Sequence, residues 1–197
     1  MHTPITYIDL LRHGDVQGGQ CYRGITDDAL SNLGWEQMRL KTEAPIQWDI
    51  IVCSPLIRCH AFAKSLAKKW QLPCIKLPAL QEIDFGDWEG KTAAQIEADL
   101  LEKFYADPNQ FTPPNGERFI DFQYRVLTAW QALLTQHKNK HILLITHAGV
   151  IRIILAHVLG MNTQHSFRLK IEHACLSQLQ CFHTHHSDDF IQLVRHG

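Results

Sequence analysis

Two near-continuous apolar runs, Trp-Asp-Ile-Ile-Val-Cys at 48–53 and His-Ile-Leu-Leu-Ile-Thr at 141–146, constrain this chain more than anything else in it. A strand that is apolar at successive positions is buried on both faces, and that happens in a parallel sheet covered by helices. A third β-rich run, Ile-Thr-Tyr-Ile-Asp-Leu-Leu at 5–11, ends abruptly in charge and glycine. Shorter strand candidates lie at 74–77, 177–182 and 190–194, the last two forming a late hairpin or edge. Helical segments fall between the strands. Ser31 caps a helix over 31–42. Ser54-Pro55 pairs a serine N-cap with a proline at the first helical position and opens a helix to about residue 70. Thr92 and Gln95 have capping-box spacing for a helix reaching about residue 105. Over 117–137, Phe119, Phe122, Val126, Trp130, Leu133 and Leu134 recur at helical spacing, and a last helix over 148–159 follows its strand directly. The pattern predicts an α/β fold, a three-layer α/β/α sandwich with a mainly parallel central sheet.

The chain's 197 residues, 45% hydrophobic, suffice for one sizeable core, so a single domain over 1–197 is expected. Nineteen basic and twenty acidic residues leave a net charge of −1, which gives no reason to expect nucleic acid or a membrane surface as a partner. Apolar runs are too short to span a bilayer and the first residues lack a signal-peptide pattern, so the reading is cytoplasmic. Six cysteines without a C-x-x-C pair read as buried thiols rather than a disulfide framework. Thirteen histidines raise the question of a metal, most of all at His183-Thr184-His185-His186. The spacing matches no finger or zincin pattern, and we read this stretch as a polar turn between late strands, with no metal or other cofactor expected.

The chemistry concentrates where strands end. Leu10-Leu11-Arg12-His13-Gly14 puts an arginine and a histidine at the exit of the first strand. In a parallel sheet that end is where ligands meet the backbone. The tripeptide alone is weak, since Arg195-His196-Gly197 repeats it at the end of the sequence. Company decides the matter. Cys53-Ser54-Pro55-Leu56-Ile57-Arg58 leaves one strand with Arg58 in the next helix's first turn, and Thr146-His147-Ala148-Gly149 leaves another. Between them, Leu80-Gln81-Glu82-Ile83-Asp84-Phe85-Gly86-Asp87-Trp88-Glu89-Gly90 sets carboxylates among aromatics and glycines. A surface arginine, a satisfied strand-end histidine and a solvated glutamate account for each taken singly. Two arginines and two histidines at strand-to-helix junctions converge on one sheet edge, where guanidinium forks and helix-start N–H groups suit a tetrahedral dianion.

These segments resemble the histidine phosphatase superfamily, the phosphoglycerate-mutase-like fold. The likeness runs from Leu11-Arg12-His13-Gly14 through Gly24, Asp27, Leu30-Ser31, Gly34 and Gln37, then Ser54-Pro55-Leu56, Arg58 and the Glu82 segment, to Thr146-His147-Ala148-Gly149-Val150-Ile151-Arg152. The resemblance implies that His13 is a nucleophile forming a phosphohistidine, with its other ring nitrogen donating to a backbone carbonyl. Arg12, Arg58 and His147 are then a phosphate clamp, and Glu82 is general acid and then general base. Ala148, Gly24, Arg23 and Gln17 join as phosphate- or substrate-binding candidates, the segment 82–116 forms one wall of the site, and no metal takes part. Where related chains carry an asparagine after the nucleophile, this one has Gly19, within Gln17-Gly18-Gly19-Gln20. Within the superfamily the compact length, the Phe85–Glu89 stretch and the 113–117 loop are most similar to α-ribazole phosphatases of cobalamin assembly. The alternatives are a broad-range or sugar phosphate phosphatase and, further off, a phosphoglycerate mutase or a binding protein without turnover. The partner implied is a small phosphomonoester.

Overall fold

A computed structural model describes residues 4–43, 48–184 and 189–197. The strands are β1 (Ile5–Arg12), β2 (Ile50–Cys53), β3 (Cys74–Lys76), β4 (His141–Thr146), β5 (Leu176–Phe182) and β6 (Phe190–His196). The helices are α1 (Asn32–Thr42), α2 (Ile57–Trp70), α3 (Ala98–Ala106), α4 (Phe119–Gln136) and α5 (Ala148–Val158). The six strands form one mixed sheet in the order β3-β2-β4-β1-β5-β6. β1, β2, β3 and β4 run parallel to their neighbours among themselves, and β5 is antiparallel to both β1 and β6.

The apolar runs behave as their composition requires. Ile8, Leu10, Ile50, Val52, Ile142 and Leu144 face one side of the sheet, under α4 and α5. Their alternates Leu11, Ile51, Cys53, Leu143 and Ile145 face the other side, with Met38 of α1 and Phe62, Ala63 and Leu66 of α2. This two-residue alternation, buried on both faces, is the α/β/α layering. The α4 stripe of Phe122, Val126, Trp130, Leu133 and Leu134 is buried against the first face as its spacing predicts.

Three boundaries differ from the sequence reading. α2 starts at Ile57 behind Leu56, and the Ser54 hydroxyl, which meets His147 at 2.7 Å, accepts from the Leu56 N–H at 3.3 Å just ahead of the helix. Thr92 and Gln95 do form a capping box, yet it closes a single 3₁₀ turn at Ala93–Gln95 before α3 begins separately. The second Arg-His-Gly lies on edge strand β6, where His196 Nδ1 meets the Ser177 hydroxyl at 2.8 Å. Ser31 caps α1 as expected, accepting from the Gly34 N–H.

The segment 82–116 carries its own small core of Trp88, Ile96 and Phe104, joined by Tyr22, Phe85, Phe111 and Phe167. Its proline-rich part is fastened to the Glu82 segment, with the Asp87 N–H donating to Pro114 O and the Glu117 N–H to Asp84 O, both at 2.9 Å. Four of the six cysteines are buried and all six are free thiols. No helix among the described residues is long and apolar enough to cross a membrane.

Candidate active site

His13 stands one residue beyond β1, and its N–H donates to Thr146 O at 2.9 Å, so the exits of β1 and β4 are locked together. The same lock brings His147 beside it, with ring centroids 5.2 Å apart in a T-shaped contact. Gly14 is required here by close approach, since a Cβ would lie 2.2 Å from Gly34 O at the start of α1. His13 Nδ1 lies 2.8 Å from Gly14 O. A carbonyl only accepts, so Nδ1 carries the proton and Nε2 holds the lone pair. Burial first, then the charges of Arg12 and Arg58, push the His13 imidazole well below its usual value. The ring is therefore neutral at physiological pH, as a nucleophile must be.

Arg58 is fully buried in the first turn of α2. It donates Nη2 to Gly24 O at 2.5 Å, Nη1 to Thr26 O at 2.6 Å and Nε to His147 Nδ1 at 3.3 Å. Arg12 donates Nη1 to Ile171 O at 2.8 Å, while its buried Nε has no hydrogen-bond partner among the described residues. Burial lowers both guanidiniums, Arg12 to about 10, and the Glu82 charge opposes that shift. Both stay protonated at neutral pH. Two cations, Arg58 fully buried and Arg12 partly so, beside two neutral imidazoles make a pocket electrostatically suited to an anion with more than one charge.

Glu82 is buried, its Oε2 accepting from Gly149 N–H at 2.9 Å at the start of α5 and its Oε1 from Ile83 N–H at 3.1 Å. Arg125 fixes the backbone behind it, donating to the carbonyls of Ala79, Gln81 and Glu82 while paired with Glu117 at 2.7 Å. Ala148 opens α5 and is buried beside this carboxylate's anchor, Gly149.

The other candidate residues are engaged within the protein. His147 has both nitrogens engaged inside the protein, accepting from Arg58 at Nδ1 and donating from Nε2 to Ser54 Oγ at 2.7 Å. Donation to a bound oxyanion therefore requires exchange of the Ser54 bond. Gln17 turns away, its amide donating to Leu30 O at 3.2 Å. Arg23 pairs with Asp28 at 2.7 Å and donates to the carbonyls of Gln17 and Gly19, so it pins its own loop. Gly24 gives its carbonyl to Arg58 and its N–H to Glu89, and it is glycine because a Cβ would strike Ile83 O. In this structure all three are bonded within the protein.

Glu89 is the residue the sequence reading quoted without assigning. Its carboxylate accepts from the N–H groups of Gly24, Ile25, Thr26 and Phe85 and from the Thr26 hydroxyl. The loop it gathers supplies the two carbonyls that hold Arg58. Glu89→Gln puts an amide donor against those donors and is expected to lower stability by about 2–4 kcal/mol and kcat with it. A wild-type urea midpoint would contradict this. His173 was missed altogether. Its ring lies 5.8 Å from that of His13, and burial with the Arg12 charge lowers it to about 4. Its neighbours hold it there, the Ala174 N–H donating to His13 O and the Arg12 N–H to Cys175 O. A sequence-local signal was lacking, because β5 returns to β1 from the far end of the chain.

Burial first, and then the Arg58 charge, holds His147 well below its usual value too. The unfolded chain binds protons below about pH 6.5 that these two buried rings refuse, so the linked stability is complete above that pH and is lost as pH falls. The expected slope is about 1.4 kcal/mol per pH unit for each of His13 and His147, and as much again for His173 until the pH reaches about 4. Urea midpoints at pH 7.5, 6.0 and 5.0 measure it, and a flat series would overturn the assignment of both rings as neutral.

An anion-seeking cluster at the carboxyl ends of parallel strands, with an oriented imidazole and the buried carboxylate of Glu82, defines an α/β enzyme of phosphoryl transfer. The family model of the histidine phosphatase superfamily (branch 1) matches residues 8–189, and the chain belongs to that superfamily, a phosphatase by class. It is 29% identical over 177 residues to the adenosylcobalamin/alpha-ribazole phosphatase of Escherichia coli (strain K12), spanning 86% of this chain and 87% of that one. It is 30% identical to the glucosyl-3-phosphoglycerate phosphatase of Mycolicibacterium vanbaalenii, over 77% and 73% of the two chains. The crystal structure of the alpha-ribazole phosphatase from Shigella flexneri superposes with a TM-score of 0.79 at 27% identity, covering 95% of each chain.

Proposed function

We propose that this chain hydrolyses a small phosphomonoester through a phosphohistidine on His13, with α-ribazole 5′-phosphate as the substrate. The observation that carries the reading is the His13 ring. Nδ1–H is held by Gly14 O and the Nε2 lone pair is left for attack, beside the guanidiniums of Arg12 and Arg58. In the first step Nε2 bonds to phosphorus, the ester P–O bond breaks, and the leaving alkoxide takes a proton from Glu82, which enters the step as the carboxylic acid and leaves it as the carboxylate. In the second, water gives its proton to Glu82 as it attacks phosphorus, and the N–P bond breaks to restore His13. Arg12 and Arg58 hold the charge that spreads over the phosphoryl oxygens, and Gly149 N–H with Arg125 keeps Glu82 in place. The aromatic segment over 82–116 is the wall that meets the leaving group.

Glu82→Gln removes the proton donor. The expected loss is about 10²–10³-fold in kcat/KM for an alkyl phosphate and under about tenfold for p-nitrophenyl phosphate, whose phenolate leaves unprotonated. Equal losses for the two esters would remove Glu82 from the acid role.

The substrate name rests on likeness to α-ribazole phosphatases, and the glucosyl-3-phosphoglycerate phosphatase relative supports a sugar phosphate as the second reading. Phosphate release from α-ribazole 5′-phosphate, beside 3-phosphoglycerate, fructose bisphosphate and a phosphohistidine peptide with EDTA throughout, tests the choice. A kcat/KM for the ribazole ester at least about tenfold above the rest is expected. A flat profile would withdraw the substrate and leave a phosphatase of broad range.

A further inference from the structure

The polar turn after β5 contains a cluster the phosphatase chemistry does not use. We propose that Cys181, His183 and Asp189 form a zinc-binding site that clasps the β5–β6 hairpin. Their ligand atoms all lie within 4.8 Å of one another, Cys181 and His183 being buried and Asp189 partly exposed. Sγ of Cys181 is 3.8 Å from His183 Nδ1 and 3.7 Å from Asp189 Oδ2, and Nδ1 is 2.7 Å from Oδ2. Tetrahedral zinc bonds place sulfur about 3.5 Å from a nitrogen or oxygen ligand, and nitrogen about 3.3 Å from oxygen. Two edges of the tetrahedron are therefore nearly present, and the third opens by well under an ångström when an ion replaces the His–Asp hydrogen bond. Thiolate, imidazole and carboxylate together suit zinc rather than magnesium or calcium. Three ligands leave a fourth position for water.

The ring is also oriented from behind. His183 Nε2 lies 2.7 Å from the Thr6 hydroxyl, which lies 3.3 Å from His137 O and accepts from the Asn139 N–H. On binding, the Cys181 thiol gives its proton to solvent and the zinc–sulfur bond forms. The imidazole exchanges its Nδ1 proton for one on Nε2, which donates to Thr6 Oγ1, and the Thr6 hydroxyl proton turns to His137 O. One proton is released in all, and every polar atom of the group keeps a partner. This is the outer bond that fixes a metal-binding histidine's tautomer. His185 and His186, which the sequence analysis grouped with His183, lie outside the described residues. Thr6 is at the start of β1 and His13 beyond its end, about 20 Å away along a strand, so the site acts on stability and not on turnover.

The test uses the whole chain, stripped with EDTA and titrated with Co(II) and then Zn(II). One Co(II) per chain is expected, with a near-ultraviolet thiolate-to-cobalt charge-transfer band that zinc abolishes, and zinc is expected to raise Tm. Cys181→Ser loses the band. Asp189→Asn, altered at a partly exposed side chain and folded by circular dichroism, weakens zinc binding by about tenfold or more, and Thr6→Val by about 10–100-fold. A charge-transfer band that survives in Cys181→Ser, wild-type zinc affinity in Asp189→Asn, or the lack of stoichiometric binding would each overturn the proposal.

Discussion

His13→Ala is expected to lower kcat for p-nitrophenyl phosphate by about 10⁴-fold or more while the fold survives. An activated aryl ester needs no proton from Glu82, so the loss isolates the nucleophile. The guanidiniums of Arg12 and Arg58 still bind the dianion but form no covalent intermediate, so inhibition by inorganic phosphate persists. Structurally the ring adds one hydrogen bond, to its neighbour Gly14, and two ring contacts, to His147 and His173. The strand-end lock is backbone to backbone, from His13 N–H to Thr146 O, and alanine retains it. Stopped-flow phosphate release with circular dichroism on the same sample measures both halves. Turnover above a few per cent of wild type would remove His13 as nucleophile.

Arg58→Ala is expected to cost about 3–5 kcal/mol in stability and about 10³-fold in kcat. The side chain is fully buried and donates to Gly24 O, Thr26 O and His147 Nδ1, so its loss leaves two buried acceptors and one partly exposed one without their donor. The two carbonyls belong to the loop that Glu89 gathers, and His147 then loses the bond that sets its tautomer. Arg58→Lys keeps a charge but not a planar fork, and one ammonium cannot span both carbonyls and a phosphoryl group. The lysine variant should therefore recover part of the urea midpoint and little of kcat. If lysine restored turnover, Arg58 would be a point charge and not a clamp.

Much of the fold was written in local patterns. The runs at 48–53 and 141–146 became β2 and β4 because strands apolar at every position have nowhere stable to lie except between two helical layers. His13, Arg58 and His147 were legible as a group for a related reason, since the carboxyl ends of parallel strands meet at one edge whatever the loops do. Local chemistry was incomplete where a side chain had a second partner. Ser54, which accepts from the Leu56 N–H, also bonds His147, 93 residues on. Gln17, Arg23 and Gly24, read as candidates for ligand contact, are bonded within the protein to Leu30, Asp28 and Glu89.

What the sequence by itself determined is the order of strands and helices and the residues at the strand exits, because these follow from periodicity and turn chemistry over a dozen residues. What the tertiary structure alone decided is how those residues are held. Glu89 reaches Gly24 across 65 positions, Arg125 steadies Glu82 across 43, and Thr6 meets His183 across 177. No local pattern encodes such pairs. Burial makes their hydrogen bonds obligatory, and only the folded chain shows which donor lies beside which acceptor.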